Sequence, residues 1–267
     1  MESDMNEKKK KQRYILLSIL SLLVFLFIWE LVTDILHIFS SITLASPIQV
    51  IESFFYKLSH NQPDGATIQQ HMWASLKVAL SGYALSLIVG IPLGIFMAWY
   101  KPVDFLARPI FDFVKSIPGL AWAPLMIVLL GIGFTSKAVT IFISGMVPCV
   151  LNAYSGIKQT KDVHMWVART FGASRMQMLF KVAIPTALPM IMTGCRVALG
   201  SCWMSIVAAE LIASSEGLGY MIQQCRGIYR PDIIIMGMLC IGALGSLITW
   251  LIGLVEKKIV KGRNHDA

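Results

Sequence analysis

The side chains that perform chemistry in enzymes are scattered in this chain and form no recognisable site. The sequence has five histidines, and no two are four residues apart, the spacing that sets two metal ligands on one helix face: His37, His60, His71, His164 and His265. No G-x4-G-K-[ST] motif occurs, and Gly131-Ile132-Gly133 lacks the third glycine of a dinucleotide loop. We therefore predict no catalytic site, no metal site and no cofactor.

The cysteines also give no pattern of a redox or metal motif. None is spaced as C-x-x-C, and four of the five fall within apolar runs: Cys149, Cys195, Cys202, Cys225 and Cys240. Cysteine in apolar surroundings behaves as a small hydrophobic residue. We predict five buried thiols.

The composition indicates a chain that spans a membrane. Of its 267 residues, 56% are hydrophobic and 14% are charged, whereas soluble domains have about 25% charged residues. A membrane-crossing helix needs about 20 apolar residues. Six apolar runs approach that length: Tyr14–Val32, Val78–Tyr100, Ser116–Ser136, Ala138–Ile157, Val182–Ala209 and Ile233–Val255. We predict an all-α integral membrane protein with six transmembrane helices.

The basic residues predict how these helices are oriented, because cytosolic loops are enriched in Lys and Arg. With a cytosolic N-terminus, four segments lie inside: the N-terminus, 101–115, 158–181 and the C-terminus. They hold seventeen basic residues: Lys8, Lys9, Lys10, Lys11, Arg13, Lys101, Arg108, Lys115, Lys158, Lys161, Arg169, Arg175, Lys181, Lys257, Lys258, Lys261 and Arg263. The outer segments hold four: Lys57, Lys137, Arg226 and Arg230. We predict a cytosolic N-terminus (1–13), a six-span transmembrane domain (14–255) and a cytosolic tail (256–267). The net charge of +8 is thus explained by topology without a nucleic-acid partner.

The longest outer segment, Thr33–Gln70, contains a helix signal. Ser46-Pro47 is typical of a helix start, with proline in the first helical position. Apolar residues then recur at helical spacing at Ile48, Ile51, Phe54, Phe55 and Leu58. We predict an amphipathic helix at the outer surface, and a plain loop is the alternative.

The inner segment Lys158–Lys181 is too polar to span the membrane and too long for a hairpin. It is predicted to form two short helices, each with an N-cap residue, and a glycine between them: Asp162 before Val163–Phe171, then Gly172, then Ser174 before Arg175–Lys181. Such a pair offers apolar and basic side chains to a soluble partner. The alternative is an ordinary interfacial loop.

This segment resembles a cytosolic loop of the membrane subunits of binding-protein-dependent ABC importers, whose pattern is Glu-Ala-Ala-x3-Gly-x9-Ile-x-Leu-Pro. The chain reads Trp166-Val167-Ala168-x3-Gly172-x9-Val182-x-Ile184-Pro185 at the same spacing. Trp166 occupies the position of the usual acidic residue, and Val167 replaces the first alanine. The resemblance implies that seven residues couple the chain to an ATPase: Trp166, Val167, Ala168, Phe171, Gly172, Ala173 and Ser174.

The resemblance extends from about Leu44 to Val260. Over this range the chain is similar to the nitrate/sulfonate/taurine branch of these permeases. It rests on short motifs in order: Leu44-Ala45-Ser46-Pro47, His71 with Ser75-Leu76, Gly90-Ile91-Pro92-Leu93-Gly94, Ile117-Pro118, Ala121-Trp122-Ala123-Pro124-Leu125, Gly131-Ile132-Gly133, Arg196-Val197-Ala198-Leu199-Gly200, Ala209-Glu210 and Gly217-Leu218-Gly219. It implies a non-enzymatic permease subunit in a bacterial cytoplasmic membrane, moving a small polar or anionic organic solute. The implied partners are a second permease copy, a dimer of ATP-binding subunits, an extracytoplasmic binding protein and the lipid bilayer.

Charged and hydroxyl side chains within the apolar runs are candidates for lining a translocation path. A charge in the middle of a membrane costs about 2.5–3.5 kcal/mol on insertion scales, so each one needs a reason. The candidates are Arg196, Ser201, Ser205 and Glu210. Structural roles are the alternative: Arg196 snorkelling or pairing within the bundle, Glu210 pairing with Lys77, and the serines packing between helices.

A self-sufficient secondary transporter or a membrane-embedded enzyme is the competing interpretation. Secondary transporters commonly have repeated halves and ion-coupling groups at the membrane midplane. The sequence has no internal repeat and no series of intramembrane carboxylates. These features favour the transport subunit.

Overall fold

The computed structural model describes residues 2–36, 38–40, 42–212 and 214–261, and no strand occurs among them. They form α1 (Glu2–Glu30), α2 (Pro47–Ser59), α3 (Ile68–Trp99), α4 (Lys101–Ser116), α5 (Ala123–Leu130), α6 (Phe134–Lys158), α7 (Asp162–Thr170), α8 (Arg175–Met178), α9 (Ile184–Ile212), α10 (Leu218–Gly227) and α11 (Pro231–Lys261). The predicted all-α class is confirmed. His37 and the end of the predicted tail, 262–267, lie outside the described residues.

Five of the six predicted apolar runs correspond to helices that are long and apolar enough to cross a membrane: Arg13–Ile35, Ile68–Trp99, Phe134–Lys158, Arg175–Ile212 and Pro231–Leu254. Several are longer than predicted, because hydropathy marks only the apolar part of a helix. α3, for example, begins ten residues before the predicted Val78. Its first turns carry polar side chains, and two of them, His71 and Ser75, are buried in the protein.

The remaining predicted span, Ser116–Ser136, is not one continuous helix. α4 ends at Ser116, a 3₁₀ turn occupies Gly119–Trp122, and α5 follows at an angle of 94° to α4. Pro118 lacks a backbone N–H, and Gly131 ends α5 at a positive φ of 77°. α4 together with the turn and α5 therefore makes one broken span or a re-entrant loop.

The helices divide into two compact units, and the first comprises residues 1–68 and 221–239. The predicted helix at Ser46-Pro47 is confirmed in this unit as α2. The hydroxyl of Ser46 caps its first turn, and the Gln49 side chain accepts from the Ser46 backbone N–H. In α2, Ser53 donates a hydrogen bond of 2.5 Å to Asp232, and Lys57 is fully buried against Asp64.

The second unit comprises residues 69–220 and 240–267, and α6 packed against α9 forms its centre. Small residues allow this close approach: a Cβ added to Gly145 would lie 2.4 Å from the Cys202 sulfur. The Tyr83 hydroxyl donates to the Cys195 carbonyl at 3.1 Å across the same core. In both units the cysteines are free and buried, as predicted.

Candidate functional site

α7 stands exposed in the second unit, and none of its residues is buried. Its large apolar side chains recur at helical spacing and form one surface with the residue that follows the helix. We call it the α7 surface: Val163, Trp166, Val167 and Phe171, with Phe171 87% exposed. Apolar side chains held in this way favour burial against another protein.

The end of α7 fixes this surface in one conformation. Gly172 has a φ of +76°, so a left-handed residue ends the helix, as predicted. Its N–H donates to the Arg169 carbonyl, and the Ala173 N–H donates to the Ala168 carbonyl, which together make a Schellman motif. The start of α7 differs from the prediction: Lys161 is the N-cap, and Asp162 is the first helical residue with no side-chain cap.

The second predicted short helix is not a separate element. Ser174 caps α8 as predicted, through a reciprocal pair of bonds with Gln177. α8 then continues through a π-helical turn, Leu179–Ala183, directly into α9. The π turn lies just before Pro185 and admits it without ending the helix. The helical run Arg175–Ile212 thus extends 38 residues from the α7 surface through the second unit.

Contacts around α8 hold this run on the C-terminal end of α3. The Arg175 guanidinium donates to the Trp99 carbonyl at 3.2 Å and lies over the Tyr100 ring. The Tyr100 hydroxyl donates to the Met176 sulfur. The segment after the α7 surface is therefore joined to α3 by these contacts and to α9 by the continuous helix.

A cavity of about 510 Å³ lies beside α9, where α6 meets the break after α4. Two predicted path residues, Ser201 and Ser205, line it together with Ser144 of α6. We call it the hydroxyl cavity. The Ser205 hydroxyl donates to the Ser144 hydroxyl at 2.8 Å, and that of Ser144 donates to the Thr140 carbonyl.

Residues that the sequence did not single out for a path complete the hydroxyl cavity. Gly119 fits tightly, since a Cβ there would lie 1.8 Å from the Ser144 hydroxyl oxygen. Lys115 also lines the cavity and pairs with Asp112 at 2.6 Å, the local pair that the spacing predicts. Ser144 is one of several hydroxyl residues in an apolar run, and only its position opposite Ser205 distinguishes it.

Arg196 lies away from the hydroxyl cavity. It lines a groove of about 870 Å³ between α9 and α11, and its guanidinium binds the carboxylate of Glu256. We call this the α9–α11 groove. Its wall is mainly apolar and includes Trp203, whose indole N–H donates to the Ile241 carbonyl at 3.2 Å. Pairing of this kind is what the structural alternative for Arg196 predicts.

Glu210 is also away from the cavity and is only 1% exposed. Its carboxylate accepts from the Ser75 hydroxyl at 2.8 Å and from the Gly219 N–H at 2.9 Å, and the Ser75 oxygen accepts from the Leu218 N–H. Nearby, His71 Nδ1 accepts from the Gly217 N–H at 3.1 Å. We call this network the Glu210 clamp. Lys77, its predicted partner, instead lies over the Phe134 ring.

The chain matches a protein-family model described as binding-protein-dependent transport system inner membrane component, over residues 90–261. The match covers the end of α3 and all of α4 to α11, and so it includes the α7 surface and the hydroxyl cavity. It leaves α1 and α2 outside.

The chain is also similar to curated proteins over most of its length. It is 37% identical to the taurine transport system permease protein TauC of Escherichia coli over 239 residues, covering 88% of this chain and 86% of that protein. It is 29% identical to the putative aliphatic sulfonates transport permease protein SsuC of Bacillus subtilis, covering 90% and 85%. A solved inward-facing structure of the MetNI methionine ABC transporter shares the fold, with a TM-score of 0.61, 19% identity and coverage of 73% of this chain and 95% of that one.

Proposed function

The chain belongs to the binding-protein-dependent transport system inner membrane components, the permeases of ATP-driven importers, and on that premise we propose that two copies of it form the path for a small anionic organic solute. It is a multi-pass inner membrane permease subunit without enzymatic activity of its own. Membership in this family implies a separate ATPase and a solute-binding protein as its partners.

We propose the α7 surface as the site where the ATPase binds. The observation that carries this proposal is a helix with no buried residue and an exposed apolar surface, ended by a capped left-handed turn. Trp166, Val167 and Phe171 supply contact area, while Ala168, Gly172, Ala173 and Ser174 set the turn. Because α8 continues into α9, a displacement of this surface on ATP binding would shift the serines of the hydroxyl cavity.

We propose the hydroxyl cavity, with Ser201 and Ser205, as this chain's share of the translocation path. Hydroxyl groups can exchange their mutual hydrogen bonds for bonds to a solute, so the solute need not be left without polar partners. Arg196 and Glu210 then serve the path indirectly, by holding the elements around α9.

We propose organic sulfonates as the first solutes to test, because one relative is named for taurine and another for aliphatic sulfonates. The complex of the permease, its ATP-binding subunit and the binding protein, reconstituted in lipid vesicles, should accumulate labelled taurine or methanesulfonate only with ATP. Another relative is named for bicarbonate transport. ATP-dependent accumulation of bicarbonate and of neither sulfonate would overturn the sulfonate assignment.

The α7 surface has its own test. Phe171→Ala should abolish co-elution of the ATP-binding subunit while the permease itself stays folded, because the side chain is 87% exposed. Phe105→Ala in α4 is the matched control, since Phe105 is 80% exposed and lies outside the α7 surface. Loss of co-elution to the same extent in both variants, or unchanged co-elution in both, would contradict the assignment.

We further propose that both termini are cytosolic, so that 1–13 and 256–267 flank a membrane domain of 14–255 in which the broken pair after α3 counts as one span. A His164→Cys variant should react with a membrane-impermeant maleimide only after the cells are opened. Labelling of intact cells at this position would reverse the orientation.

A further inference from the structure

α2 has an unusual distribution of side chains between its buried and its exposed faces. The face packed on the rest of its unit buries two polar side chains, Ser53 and Lys57, beside one apolar side chain, Val50. The exposed face carries large apolar side chains: Ile48, Ile51, Phe54 and Phe55, with Phe55 64% exposed. A helix in water normally shows the opposite arrangement.

The exposed residues of α2 are themselves separated into two sectors. At 3.6 residues per turn, the apolar residues lie together on one flank of the packed face. The polar and mixed residues lie together on the other flank: Glu52, Tyr56 and Ser59. Two adjacent exposed sectors of this kind are expected where a helix lies along a boundary between an apolar medium and water.

One hydrogen bond sets the depth of α2 in the membrane. The indole N–H of Trp29, in the membrane helix Arg13–Ile35, donates to the Ala45 carbonyl at 3.1 Å, immediately before the α2 N-cap. Trp29 lies 16 residues beyond Arg13, which corresponds to about 24 Å of helix. A hydrocarbon layer is about 30 Å thick. α2 therefore starts at the level of the far leaflet's acyl chains rather than above the headgroups.

The polar groups at the first turn and on the packed face of α2 are bonded within the protein, as this depth requires. Ser46 and Gln49 satisfy the first turn reciprocally. Lys57 donates to the Ala66 carbonyl at 2.6 Å in addition to its pair with Asp64. Ser53 bonds to Asp232.

We propose that α2 lies in the membrane interface, with Ile48, Ile51, Phe54 and Phe55 in contact with the acyl chains of the leaflet opposite Arg13. Glu52 and Ser59 face the headgroups and water. The lipid contact of the adjoining span thus continues onto α2. Such a membrane contact of α2 is separate from the transport function proposed above. The alternatives to lipid are a binding protein or a second copy of this chain that covers the apolar face.

Nitroxide labels at single cysteines test this directly in the full-length permease in vesicles of phosphatidylethanolamine and phosphatidylglycerol. Labels at Ile51→Cys and Phe55→Cys should collide more often with molecular oxygen, which concentrates in acyl chains, than with a water-soluble nickel chelate. Glu52→Cys is the matched control on the same helix, and its label should show the reverse ratio. The native thiols do not interfere, because all five are buried in the protein.

Two results would overturn the proposal. Preferential collision with the nickel chelate at Phe55→Cys would put the apolar face in water. Protection from both reagents would mean that a protein covers it. The unmodified chain gives a second measurement: a membrane-partitioned diazirine should label α2 at Ile48, Ile51 and Phe55, and labelling of Glu52 and Ser59 instead would also overturn the proposal.

Discussion

The guanidinium of Arg196 in α9 binds the carboxylate of Glu256, sixty residues later and close to the end of α11. α9 and α11 run in opposite directions, and Glu256 follows the last residue of the α11 span, Leu254. Arg196 therefore lies level with one end of that span and is neutralised there. A charge that the sequence places in an apolar run thus avoids most of the cost of a bilayer centre.

We predict that the charges of this pair matter more than the identity of Arg196. Arg196→Ala and Glu256→Ala should each destabilise the permease by about 1–3 kcal/mol, between the effects seen for exposed and for buried pairs. The reversed pair, Arg196→Glu with Glu256→Arg, should recover thermal stability and uptake. If Arg196→Ala instead abolishes uptake at full stability and the reversed pair does not recover it, Arg196 acts on the solute.

We predict that Gly172 is required for its backbone conformation and not for space. No atom lies within 4 Å of a Cβ built there, so Gly172→Val should cost about 1–2 kcal/mol of left-handed strain at the turn. Coupled ATP hydrolysis should fall, while Gly172→Asn, which tolerates this conformation, should retain most of it.

The matched control for that prediction is Gly131→Val. Gly131 has nearly the same φ, 77° against 76°, and the same open surroundings, but it ends α5. The Gly131→Val variant should leave binding of the ATP-binding subunit intact. Equal loss of binding from both valine variants would show a general effect of backbone strain.

We predict that Ser205→Val lowers uptake by filling and dehydrating the hydroxyl cavity, with ATP-binding subunit binding unchanged. The variant removes the 2.8 Å bond to Ser144 and adds a methyl group toward the solute. Ser246→Val is the control, since Ser246 lines the α9–α11 groove instead. Uptake in vesicles measures this effect. Equal inhibition by both variants would show that the cavity is not part of the path.

We predict that the Glu210 clamp holds the segment before α10. Glu210→Ala leaves the Gly219 N–H and the Ser75 hydroxyl without their buried acceptor, at about 1–3 kcal/mol for each such group. Ser75→Ala should be destabilising too, and the two losses should not add, because both act on one network. Thermal unfolding measures this, with Glu216→Ala as the exposed control. Additive effects would contradict a shared network.

Hydropathy and short-range spacing determined much of this protein in advance. Five membrane helices, α2 with its Ser46 cap, the Gly172 turn and the buried cysteines all depend on residues near one another in the chain. So does the Asp112–Lys115 pair. Local patterns suffice in such cases, because a helix is formed by contacts between residues three and four positions apart.

Only the tertiary structure decided what depends on distant residues and on angles. The 94° break after Ser116 could not be predicted from the sequence, because hydropathy gives the length of an apolar run and not the angle between the helices in it. The partners of the charged candidates were equally hidden: Arg196 meets Glu256, and Glu210 meets Ser75, 135 residues away. Which of the serines share a cavity follows from the packing of α6 on α9. These relationships arise when helices pack, and the one-dimensional order of residues does not specify which faces will meet.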